Sequence, residues 1–170
     1  MERTDPEYVA GELAMLGQYL DYHRATLAAK AAGLDGTGWR AQLAPSELTL
    51  AGLVKHAALV EDHWFTSILL GQEMPEPWES APWDDDRDWE FHTAPDEAPD
   101  YVLGLYAEAC DRSRAAVAQV GDPDAHAART VRDGHQVSLR WIMLHMLEET
   151  ARHNGHADLL RESVDGATGE

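Results

Sequence analysis

This chain has little thiol chemistry of its own, because it carries a single cysteine among 170 residues. A lone thiol cannot form an internal disulfide, and Cys110 falls inside a predicted helix, where a small buried apolar residue is its ordinary role. Positive charge is also scarce. The sequence holds 13 Lys and Arg, only 2 of them Lys, against 31 Asp and Glu, for a formal charge of −18. Such a balance repels phosphate backbones and anionic lipid surfaces, so neither nucleic acid nor a membrane is expected as a partner. No apolar run approaches the roughly 20 residues that span a bilayer, and Met1 to Asp5 lacks the cationic and then apolar start of a secretory signal. The expectation is a cytoplasmic protein with one domain, residues 1–170, long enough to bury a core.

What the sequence does have is helical periodicity. Between about Pro6 and Ala32, Val9, Leu13, Leu16, Leu20 and Leu27 follow the three-and-four spacing of an amphipathic helix closed by Gly33, with His23 inside the stripe as a core histidine satisfied by a neighbour. Gly33 to Ser46 reads as a loop. Thr49 is a suitable N-cap for a second helix reaching about Leu70, with Leu53, His56, Val60, Trp64 and Ile68 on its core period. His63 lies on nearly the same face as His56, so either imidazole could reach inward. A third helix spans about Asp96 to Val120, with Pro99 in its first turn and Gly121 at its end. The last runs from about Ser138 to Val164, straight through Asn154-Gly155, where Gly155 would let another backbone come close. Four such helices with a long crossover predict an all-α, four-helix bundle.

Two connections interrupt the pattern. Gly121 to Gln136 reads as a link with a short hairpin around Asp133-Gly134, and its His126 and His135 as surface residues. The longer one, 72–95, combines Pro75, Pro77 and Pro82 with the acidic run Asp84 to Asp86 and with Trp78, Trp83 and Trp89. Three indoles seek a surface to cover, so this insertion is expected to pack over the bundle as a flap or to wall a substrate pocket. His92 within it reads as an exposed loop residue.

The last helix carries the chemistry. His145, Glu149, His153 and His156 recur at spacings of four, four and three, and at about 100° per residue they share an arc of roughly 80°. Ionisable groups there occupy core-facing positions, which is costly unless they are paired or hold a cation. Glu149 and His153 lie one turn apart and can converge on one ion, with His56 closing the face from the opposite helix. Nitrogen and carboxylate donors suit zinc first, with nickel, iron or manganese as alternatives. Three protein ligands leave a position open, the mark of a catalytic rather than a structural zinc. A polar cluster of hydrogen-bonded residues is the competing account of the same spacing.

Leu53-Val54-Lys55-His56, continued by Val60-Glu61 and Trp64-Phe65, resembles the second-helix motif of the DinB-like superfamily. Arg152-His153-Asn154-Gly155-His156-Ala157-Asp158, continued by Leu159-Leu160-Arg161-Glu162, resembles its last-helix motif. The likeness is most specific to the branch of mycothiol-dependent enzymes, the thiol S-transferases and maleylpyruvate isomerase. The resemblance implies a DinB-like bundle with His56, Glu149 and His153 as metal ligands, and His156 in support of the ligands or as a general acid or base. It also implies mycothiol as co-substrate and an electrophilic small molecule as acceptor, an activity suited to detoxification. A metal-bound thiol loses its proton readily, so Cys110 is not needed. Another metal-dependent enzyme is a second reading, either a hydrolase using metal-bound water with His156 or His63 as base or a thiol-dependent isomerase. A third is a non-catalytic, metal-binding stress-response bundle capped by His63 or His156 as a fourth ligand. A homodimer stays open.

Overall fold

The computed structural model describes residues 2–169, and its elements are helical, with no β-strand among the described residues. Helix α1 spans Glu12–Ala31, the short α2 Gly36–Trp39, and α3 Leu50–Glu61. The chain then continues through Asp62–Leu69 in a wider π-helical coil. The insertion ends in the short α4, Trp89–Thr93, which runs on into a 3-10 turn, Ala94–Asp96. Helix α5 is Pro99–Val120 and α6 is Leu139–Asp165. The long elements form the expected all-α bundle, α1 packing chiefly on α6 and α3 on α5. No helix among the described residues is long and apolar enough to cross a membrane.

Local signals explain most boundaries. Thr49 Oγ1 accepts from Gly52 N at 3.0 Å and Ser138 Oγ accepts from Trp141 N at 3.2 Å, so each hydroxyl satisfies an otherwise free donor of a helical first turn. Gly121 ends α5 at φ 65°, a left-handed conformation that glycine adopts without strain. Three expectations need correction. Helix α1 begins at Glu12 rather than near Pro6, and Val9 is 88% exposed, so it does not belong to the buried stripe. Helix α5 begins at Pro99 rather than Asp96, because 94–96 is already folded as a separate tight turn. α6 does run unbroken through Asn154-Gly155, but beyond the helix's own backbone nothing among the described residues approaches within 4 Å of where a Gly155 side chain would start.

The link 121–138 doubles back as expected, with a single antiparallel bridge between His126 and Ser138 and a 3-10 turn at Arg132–Gly134. His126 and His135 are exposed, whereas Cys110 is buried, and burial pushes its thiol pKa well up. His23 sits beside α6, where Asn154 Nδ2 donates to His23 O at 3.0 Å.

Acidic side chains lie deeper than the sequence predicts. Glu61 and Asp62 are consecutive and both 1% exposed. Arg24 Nε and Nη2 donate to the two Glu61 carboxylate oxygens at 2.7 and 2.5 Å, and Arg112 grips Asp62 in the same forked way at 2.8 and 2.9 Å. The wider coil beginning at Asp62 resets the helical phase, so Phe65 and Leu69 occupy the deepest positions while Trp64 is only partly buried.

The insertion 72–95 packs on the bundle. Trp78 is 2% exposed and its Nε1 donates to Asp62 Oδ2 at 2.9 Å, while Trp83 Nε1 donates to Trp78 O at 2.9 Å. Lys55, fully buried, lies 3.9 Å from the centre of the Trp89 ring. The segment so held ends in α4, which lies against α3.

Candidate metal centre

The centre forms where α3 faces the middle of α6. His56 projects from α3, and Glu149 and His153 project from successive turns of α6, each side chain about one-fifth exposed or less. His153 Nε2 lies 3.0 Å from Glu149 Oε1, and His56 Nε2 lies 3.6 Å from the same oxygen. The two imidazole rings meet nearly edge to face, 5.2 Å apart at 73°. One donor atom from each of the three residues lies within 4.8 Å of the others.

Donors held 2.0–2.2 Å from one zinc at tetrahedral angles would lie about 3.4 Å from each other, and the separations of 3.0 and 3.6 Å bracket that value. The spacing and the donor chemistry therefore fit a divalent cation. No fourth protein donor joins the three among the described residues.

Without a cation, a proton on His56 supplies the positive charge of the site. Burial lowers the His56 pKa, but the hydrogen bonds and charges of Glu149 and Glu90 outweigh it and hold His56 at about 9. Glu149 falls to about 2, chiefly through its contact with His56 and against the effect of burial. Burial, then the positive charge on His56, pushes His153 below its ordinary value. The cation-free centre thus holds one proton on His56, one ionised carboxylate and one neutral imidazole.

Two of the other candidate histidines stand apart from the three. His156 is behind His153, their Nδ1 atoms 3.4 Å apart, and so faces away from the nitrogen that meets Glu149. His145 is stacked on Trp141 at 5.1 Å and 15°, and Trp64 meets it at 4.7 Å. The inward reach considered for His63 is not found: it is exposed, edge-on to Trp64. His92 is also exposed and pairs with Asp86 at 2.9 Å.

Glu90 and Phe91 of α4 are the neighbours that sequence reasoning missed. Glu90 Oε1 lies 2.9 Å from His56 Nδ1, and the Phe91 ring stacks on His56 at 4.8 Å and 24°. Glu90 is 34 residues from His56 and follows the acidic run Asp84 to Asp86. Its aromatic neighbours Trp89 and Phe91 were the available sign that this piece of the insertion packs.

The family model for mycothiol-S-transferase matches residues 15–166. The chain belongs to the mycothiol-S-transferase family. No curated protein matches it. The matched span contains the whole centre, Glu90 included, and membership marks the chain as a mycothiol-related transferase.

Proposed function

We propose that this chain transfers mycothiol to an electrophilic small molecule at a divalent cation held by His56, Glu149 and His153. Zinc is the first candidate, and the same donors accept nickel, iron or manganese. The observation that carries the proposal is the convergence of two imidazole nitrogens and one carboxylate oxygen, without a fourth protein donor among the described residues, in a chain of this family. A bound cation supplies the positive charge that lowers a thiol's pKa from about 8.5.

The residues divide the remaining work. Glu149 offsets part of the positive charge, and His56 and His153 direct Nε2 toward the same point. His156 supports His153 from behind. The thiol must come from outside, since Cys110 is buried and its pKa is raised. A cavity of about 370 Å³, lined by Leu59, Val60, His63, Met74, Trp83 and Arg87 and by none of the three ligands, lies beside the insertion and offers an apolar electrophile a place. The thiol gives its proton to water and its sulfur bonds to the electrophilic carbon; either the leaving group departs with the electron pair, or at a double bond the neighbouring carbon takes the pair and a proton from water.

The test is conjugation of a bimane reporter in the presence of mycothiol, bacillithiol or glutathione, using zinc-loaded and metal-stripped protein side by side. Faster conjugation with mycothiol in the loaded protein is expected. Equal rates for loaded and stripped protein would contradict the proposal.

A further inference from the structure

Glu90 has an unusual position for an acid. It is 4% exposed, its Oε1 meets His56 Nδ1 at 2.9 Å, and its Oε2 is buried with no hydrogen-bond partner among the described residues. A carboxylate so placed does little for the fold, because leaving water is costly and a well-packed apolar side chain of similar size would serve packing as well or better. A protonated His56, or a cation bound at its Nε2, would offset that cost.

The surroundings hold this carboxylate in place. Lys55, next to His56 in the chain, is fully buried, and its Nζ donates to Thr93 Oγ1 at 2.7 Å and to Glu97 Oε1 at 2.6 Å. The same ammonium lies over the Trp89 ring. Lys55 therefore ties both ends of α4 and the turn after it to α3. Phe91 packs flat on His56 from the same short helix, and Gly52 makes room for it: a Cβ there would lie 2.8 Å from Phe91 Cδ1.

We propose that Glu90 is a positioning residue of the metal centre: by accepting from His56 Nδ1–H it fixes the ring's tautomer and aim, leaving Nε2 as the donor toward the cation. Carboxylate to imidazole to metal is a recurrent arrangement, and removing the outer partner typically costs 10–100-fold in metal affinity. The insertion 72–95 is then the carrier of a site residue as well as a cover, with Lys55 as its clamp. This inference rests on the metal reading above.

Zinc affinity measured by chelator competition on the unaltered full chain, Glu90→Ala, Glu90→Leu and Lys55→Met tests it. The leucine variant refills the buried space without an acceptor. Both Glu90 variants should keep their helical circular dichroism and bind zinc about 10–100-fold more weakly, with a smaller loss in Lys55→Met. Long-range proton–nitrogen NMR of the zinc-loaded unaltered protein should place the His56 proton on Nδ1, which a purely structural role for Glu90 does not require. Unchanged zinc affinity in both Glu90 variants, or coordination through His56 Nδ1, would overturn the positioning role and leave the metal reading standing. Failure of the unaltered protein to bind zinc would overturn the metal reading, and the positioning role with it.

Discussion

Zinc binding by this chain should depend on pH with a slope set by one proton, and the perturbation needed is pH alone. Without a cation, His56 is held protonated up to about 9 between Glu90 and Glu149, and Glu149 stays ionised down to about 2. His153 is depressed below its ordinary value and is neutral at pH 7 and above. A cation arriving at His56 Nε2 must therefore displace one proton, and none from the other two ligands. With the His56 pKa at about 9, only about 1 ring in 100 is free of that proton at pH 7, so apparent affinity lies about 100-fold below its limit there. It should rise about tenfold per pH unit between pH 7 and 8.5 and level off above 9. Chelator competition at each pH gives the slope. Calorimetry in buffers of differing ionisation enthalpy counts the protons, with one released per zinc as the expected result. A flat affinity across pH 7 to 8.5, or release of two protons at pH 8, would refute the charge arrangement described for the centre.

Two further perturbations test how the bundle supports the site. Arg24→Met strands the Glu61 carboxylate inside the core and should cost about 3–5 kcal/mol in urea unfolding, whereas Arg24→Met with Glu61→Leu should recover most of the loss; a loss under about 1 kcal/mol for the single variant would show that Glu61 finds water or another partner. Gly52→Ala ordinarily gains about 0.5–1 kcal/mol in a helix, but here the new Cβ would meet Phe91 at 2.8 Å. It should therefore lower both thermal stability and zinc affinity, and a more stable variant with unchanged zinc binding would contradict the packing of α4 on His56.

How much of this was legible in the sequence depended on distance along the chain. The period through Ile142, Met146, Glu149, His153 and Leu160 was long enough to override Asn154-Gly155 as a turn signal, and α6 is continuous there. Thr49 marked the start of α3 because an N-cap acts on neighbours three residues away. His56, Glu149 and His153 were recognisable because each broke an apolar stripe, and the structure brings those three together. Val9 misled because its spacing fits the stripe while the helix starts only at Glu12. The burial of Asp62 and Phe65 was hidden because the coil widens at Asp62 and shifts the phase that the regular period assumes. For Glu90 the aromatic neighbours signal packing, but only the folded path of the insertion brings it to His56.

Two imidazoles and one carboxylate should hold a single cation between α3 and α6. Anomalous diffraction at the zinc edge, from crystals of the zinc-loaded protein, tests it most directly. One peak is expected about 2.0–2.2 Å from His56 Nε2, His153 Nε2 and a Glu149 oxygen. Absence of a peak between α3 and α6, or a peak ligated by other side chains, would contradict the account.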